Sequence, residues 1–220
     1  MTRFTLIGGT KNWSSWTLRP WLLMKVAQIP FDEIEITLRD GDTTRAEIRA
    51  QSPSGLIPVL KCDDGLTLWD SLAIAEYLAE RFPERQLWPH DPRARAMARV
   101  AACEMHAGFT AMRREMAMDC VASLPRPELS ADASRDVARI QQIWRDMRNE
   151  FGAGGPFLFG TFSIADAMYA PVVSRFATYS IPMETAERAY TGAISTLPAM
   201  QEWMAACAAW AARRAVQSQA

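Results

Sequence analysis

Histidine and cysteine are scarce in this chain. His90 and His106 are the only histidines, and Cys62, Cys103, Cys120 and Cys207 form no C-x-x-C pair. So few ligands, so far apart, leave no basis for a structural zinc site, and no metal is expected. The scattered cysteines read as reduced, packed thiols, not as a disulfide frame. Neither sign of charge dominates: Lys+Arg 24 against Asp+Glu 25 leave a formal net charge of -1. No global field therefore draws nucleic acid or an anionic membrane surface, and neither is expected as a partner. No apolar stretch approaches the ~20 residues of a membrane span. The run at 4–7 is too short for the hydrophobic region of a signal peptide, so a cytoplasmic location is the default.

What the chain does have is apolar mass, 49% of its residues, ample for a substantial core. Its pattern divides it in two. Residues 4–7 and 34–38 read as strands around a helical stretch at 15–27, a strand–helix–parallel strand unit. A short helical piece follows near 44–50. Strands at 59–62 and 66–68 flank the Asp64-Gly65 hairpin signal, and a helix runs over 70–81. Pro83, Pro89 and Pro92 mark a linker, after which the helical period prevails. The boundaries expected are 1–82, a linker at 83–91, and an all-helical second domain at 92–220.

The most informative stretch is Ser54-Gly55-Leu56-Ile57-Pro58-Val59-Leu60, followed by Asp70-Ser71 at the head of a helix. Pro58 lacks an N–H and belongs at the first position of its strand, and it forces Ile57 into an extended conformation. Ile57 then offers its own N–H and C=O outward, and the Ile57–Pro58 bond is a candidate for the cis form. At Asp70-Ser71 the side chains cap the helix, and the N–H groups of its first turn face whatever lies in front. The pair reads as a receptor for an extended peptide with a free carboxylate, Asp70 holding the adjacent ammonium. Taken alone, a D-S pair is more simply an N-cap and a first-turn residue.

In these motifs the chain resembles the glutathione transferase superfamily, most nearly its serine-type, zeta-like bacterial branch. Four segments in the expected order carry the resemblance: Asn12-Trp13-Ser14-Ser15-Trp16-Thr17-Leu18-Arg19-Pro20-Trp21, the turn 56–60, the helix start 70–78, and Ser163-Ile164-Ala165-Asp166. Zeta members read Ser-Ser-Cys-Ser-Trp-x-x-Arg. Ser15, Trp16 and Arg19 match, Ser14 stands in place of cysteine, and Asn12 occupies the usual catalytic serine position. The resemblance implies a thioredoxin-like N-terminal domain before an all-helical domain that forms the second-substrate pocket. It also implies glutathione as co-substrate, a homodimer, and detoxifying conjugation of a small hydrophobic or carboxylate-bearing electrophile, or its cis–trans isomerisation. Ile57, Pro58, Asp70 and Ser71 would hold glutathione, and Arg39, Lys11 and Thr43 are candidates for its glycine end. A non-catalytic interaction module on the same fold is the alternative.

Chemistry then requires a thiolate near neutral pH from a thiol whose free pKa is about 8.5. Ser14 and Ser15 lie where the first strand hands over to the first helix, with Ser14 the first candidate donor to sulfur, Ser15 the second and the Asn12 amide the third. Capping of that helix is the plainer role for both serines. Without a cysteine in this turn, a disulfide-exchange mechanism has no nucleophile. Met97, Val100, Ala101, Met105, Phe109, Met112 and Met116 make a stripe expected on one long helix, filling either the core or an acceptor pocket. Lys11, Met112, Arg113 and Met116 are the candidates for the second-substrate wall. The stretch from Ala165 to Phe176, capped by Ser163 and Asp166, reads as a buried helix of structural role.

Overall fold

A computed structural model describes residues 3–217; the outermost limits expected for the two domains, residues 1–2 and 218–220, lie outside the described residues. Strand β1 (Phe4–Gly9), helix α1 (Ser15–Val26), strand β2 (Phe31–Ile36) and helix α2 (Gly41–Gln51) come first. Strands β3 (Val59–Cys62) and β4 (Thr67–Leu68) and helix α3 (Ser71–Arg81) complete the first half. Six helices follow: α4 (Pro92–Ala107), α5 (Thr110–Glu115), α6 (Ala131–Phe151), α7 (Ile164–Thr178), α8 (Thr185–Ser195) and α9 (Pro198–Gln217). The sheet runs β2-β1-β3-β4, with β1 parallel to β2 and antiparallel to β3, and β3 antiparallel to β4. This is the small mixed sheet and helical second half that the sequence predicts.

Two local expectations are corrected. The strand predicted at 34–38 sits at Phe31–Ile36, in register with β1 from Phe4–Phe31 to Gly9–Ile36. As an edge strand it keeps Asp32, Glu33 and Glu35 at the surface, so charge did not mark its limits. The long helix expected along 97–116 is two helices. The chain breaks at Gly108, where a Cβ would meet the Glu104 carbonyl at 2.8 Å, and at Phe109, whose φ of 61° is left-handed. Val100, within α4, is exposed and does not join the buried stripe.

The two halves share one apolar core, running from Phe4 through Trp21 and Trp144 to Trp203 and Cys207. Helix α1 packs on α7 as well as on α3. Trp21 meets Trp203 of α9 edge to face at 5.0 Å, and Lys25 pairs with Glu202. Asn12 joins the halves more directly. Its Nδ2 donates to Asp119 Oδ1 at 2.9 Å and its Oδ1 accepts from the Val121 N–H at 3.1 Å.

Helix α7 is set by its first turn. The Asp166 carboxylate accepts from the N–H groups of Leu158 and Ser163 and from the Ser163 hydroxyl, a reciprocal capping box. Its burial outweighs those donors and pushes its pKa up to about 6.

Candidate active site

The turn before β3 is built by Gly55, whose φ of +70° favours glycine and whose N–H bonds to the Ser52 carbonyl. Beyond it Leu56 is exposed, Ile57 half-buried and Pro58 buried. The β1–β3 ladder ends at Ile7–Val59, so Ile57 lies two residues past the last paired position. The Ile57–Pro58 peptide bond is cis.

Opposite this turn stands the head of α3. Asp70 is its N-cap, with Oδ1 accepting from the Leu72 N–H at 2.8 Å. Asp70 and Ser71 line a cleft of about 260 Å³ together with Ser54, Leu56, Ile57, Pro58, Trp69 and Trp16. The four residues singled out for the peptide-like ligand thus share one cavity. Ser71 is 1% exposed, and among the described residues its hydroxyl has no hydrogen-bond partner. A larger hollow, about 570 Å³, lies against Phe4, Ile29, Arg81 and Phe82. It lies at the C-terminal end of α3, the end opposite the first-turn N–H groups that Asp70 caps.

Trp16 brings the second half of the chain to this cleft. The Arg19 and Arg113 guanidinium carbons lie over its ring, 4.1 and 4.8 Å from the centroid, and the His106 ring meets it edge-on at 5.3 Å. Arg113 is fixed by donating to the Met105 and His106 carbonyls at the end of α4. His106 in turn reaches Asp70, Nε2 to Oδ2 at 3.0 Å. Burial lowers the His106 pKa, with the Arg19 and Arg113 charges adding to it and Asp70 opposing. Arg19 is 1% exposed, and among the described residues none of its guanidinium nitrogens has a hydrogen-bond partner. Its pKa is depressed well below the ordinary value, first by burial and then by Arg113 and Arg175.

The other predicted residues lie elsewhere. Ser14 Oγ sits 2.7 Å from Thr17 Oγ1, which accepts the Gly9 N–H at 3.1 Å, and Ser15 is the first residue of α1. Both serines are buried, and Trp16, not either serine, lines the cleft wall. Asn12 is committed to Asp119 and Val121. Arg39, at a φ of 66°, lies 4.1 Å over the Trp13 ring, away from the cleft lining. Lys11 turns to Glu33 and Glu35 and lies over Trp21 and Trp203. Met112 and Met116 are wholly buried in the core, which leaves Arg113 as the expected pocket residue that does approach the cleft. His106, Arg19 and Trp69 were not singled out from sequence as site residues. The His106 contacts to Trp16 and Asp70 join positions dozens of residues apart, and no local spacing announces them.

The sequence matches the family profiles for the glutathione S-transferase N-terminal domain over residues 13–81 and C-terminal domain over residues 130–212. The chain belongs to the glutathione S-transferase family. Rat maleylacetoacetate isomerase is 32% identical to it over 170 residues, 77% of this chain and 76% of that protein. Glutathione S-transferase GstB of Escherichia coli K12 is 27% identical over 162 residues, 65% and 76% of the two chains. A Burkholderia glutathione transferase homologue, solved with bound glutathione, superposes with a TM-score of 0.70 at 21% identity, covering 93% of this chain and 98% of that one. At that identity the likeness speaks for the transferase fold. Among the described residues no helix is long and apolar enough to cross a membrane.

Proposed function

We propose that this transferase binds glutathione in the cleft between Ile57 and the head of α3 and activates its thiol through a serine hydroxyl. The observation that carries the reading is the convergence of Ile57, Pro58, Asp70 and Ser71 on one cavity. An extended peptide fits a backbone edge that ends its own pairing at Val59. Its α-carboxylate suits the first turn of α3 and the unpartnered Ser71 hydroxyl, and its ammonium suits Asp70.

Ser14 remains the first candidate for the sulfur. Either hydroxyl can donate in the Ser14–Thr17 contact; with Thr17 as the donor, the Ser14 proton is left to donate onward. A hydroxyl donating to a charged acceptor is worth about 1.5–3 kcal/mol, and each unit of thiol pKa about 1.4 kcal/mol, so one to two units of depression are within its reach. Ser15 is the alternative donor. The thiolate then forms a C–S bond to an electrophilic carbon. Conjugation ends with a leaving group expelled or a carbanion protonated. Isomerisation ends when rotation about the former double bond is followed by loss of the same thiolate. The maleylacetoacetate isomerase relative makes the second outcome a specific one to assay. A homodimer, as the resemblance implies, completes the reading.

The deciding experiment is the ultraviolet thiolate absorbance of glutathione titrated with pH, with and without excess protein. Ionisation well below that of free glutathione is the expected result; an unshifted titration despite calorimetric binding would remove the serine-activation step.

A further inference from the structure

We infer that His106 is a positioning residue for Asp70, and that its protonation weakens the binding of an ammonium-bearing ligand in this cleft. The inference rests on the functional reading above, in which Asp70 takes the glutathione ammonium, and adds to it a residue of the second half of the chain.

The geometry starts from the two oxygens of one carboxylate. Asp70 Oδ1 is spent on the Leu72 N–H of its own helix, while Oδ2 is 3.0 Å from His106 Nε2. A carboxylate oxygen accepts more than one hydrogen bond, so with Nε2–H donating, Oδ2 is held in place and still has capacity for a ligand ammonium. His106 is itself held. It lies in the last turn of α4, its ring packs on Trp16, and its carbonyl and that of Met105 are capped by Arg113.

The charged groups facing the imidazole are Asp70 from the head of α3, Arg19 from α1 and Arg113 from α5. From α7, Tyr169 is bonded to the Ala101 carbonyl and carries no charge there. Two cations and one carboxylate around a half-buried ring favour the neutral form, with Nε2 as donor and Nδ1 as acceptor. Nδ1 is buried, and among the described residues it has no partner, as an uncharged ring nitrogen tolerates better than an N–H of an imidazolium would. When the ring does gain a proton on Nδ1, the hydrogen bond to Oδ2 becomes an ion pair. The ligand ammonium then competes with an imidazolium for the same oxygen, and affinity falls. Because burial, with Arg19 and Arg113, lowers the His106 pKa from its ordinary value, the fall belongs to the acid side of neutrality.

The test is calorimetric binding of glutathione to the full chain and to His106→Gln and His106→Leu, between about pH 5 and 7.5. Glutamine keeps a donor at comparable reach without a titrating proton. It should bind within about twofold of wild type at pH 7.5 and lose the acid-side weakening that wild type shows. Leucine, which cannot donate, should bind about five- to tenfold more weakly at pH 7.5. Equal affinities for all three proteins, or a glutamine variant that keeps the wild-type pH profile, would overturn the inference while leaving the functional reading intact, provided Ser71→Ala still weakens binding. Absence of glutathione binding by wild type overturns both.

Discussion

Replacing Ser71 by alanine separates ligand recognition from folding unusually cleanly. The hydroxyl is buried and makes no hydrogen bond among the described residues, so its removal breaks no internal contact. Deleting an unsatisfied buried polar group is neutral to slightly stabilising, and the unfolding midpoint should stay within a degree or two of wild type or rise. Ligand affinity should respond quite differently. A hydroxyl donating to a carboxylate is worth about 1.5–3 kcal/mol, a ten- to hundredfold change in Kd. The first-turn N–H groups of α3 remain in the variant, so the lower part of that range is expected. Isothermal titration of glutathione into wild type and Ser71→Ala, alongside thermal unfolding of both, measures the two effects independently. An unchanged Kd would refute the placement of the carboxylate at the head of α3. A large drop in stability would show instead that the hydroxyl has a structural partner.

Ser14→Ala should leave glutathione affinity within about twofold while raising the pKa of the bound thiol by about one unit and cutting turnover about tenfold, read by the thiolate absorbance and a conjugation assay. Full activity in that variant would move the donor to Ser15 or Asn12. Asp166→Ala should lower stability by about 3 kcal/mol, because the Leu158 and Ser163 N–H groups lose their acceptor; denaturant unfolding checks this. The same carboxylate predicts a pH slope. Its folded pKa of about 6 lies above the 3.8 of an unperturbed aspartate, so between these values the folded state binds more protons. Its contribution is therefore fully present below about pH 4 and is lost as pH rises through 6, by at most about 3 kcal/mol. Asp166→Asn should flatten that part of the stability profile relative to wild type.

The parts legible in the sequence were those with local grammar. Pro58 announced the start of β3, Asp70-Ser71 the head of α3, and Ser163 with Asp166 the capping box, because a proline or a cap acts on residues within one turn of itself. The break between α4 and α5 was misread because Met105, Phe109, Met112 and Met116 keep a helical spacing across Gly108. The buried face is continuous although the backbone is not. Of the wall beyond α3, Arg113 is named from the sequence and His106 is not. Arg113 lies beyond the left-handed Phe109 in α5 and reaches Trp16, while His106, in the last turn of α4, meets Asp70. Residue spacing carries no trace of such contacts until the turn that makes them is known.

Arg19 shows how far the first half of the chain has been shaped by something other than stability. A guanidinium 1% exposed, with no hydrogen-bond partner among the described residues, has lost its hydration and gained in return the Trp16 ring and a distant attraction to Asp70. Cation–π contact is worth about 2 kcal/mol when desolvated, less than the several kcal/mol by which burying an ion is penalised. Even buried ion pairs are often replaced by apolar side chains of similar volume with a gain of about 1–4 kcal/mol, and among the described residues Arg19 has no hydrogen-bond partner to lose. Arg19→Met should therefore raise the unfolding free energy by about 1 kcal/mol or more. Arg19 also shares the electrostatic neighbourhood of Asp70, so removing its charge should weaken binding of a carboxylate-bearing ligand at the head of α3. Stability and affinity should move in opposite directions in this one variant, the pattern of a strained functional site. If Arg19→Met instead unfolds more easily while glutathione affinity is unchanged, the guanidinium is a structural member of the α1–α7 packing and contributes nothing to the ligand.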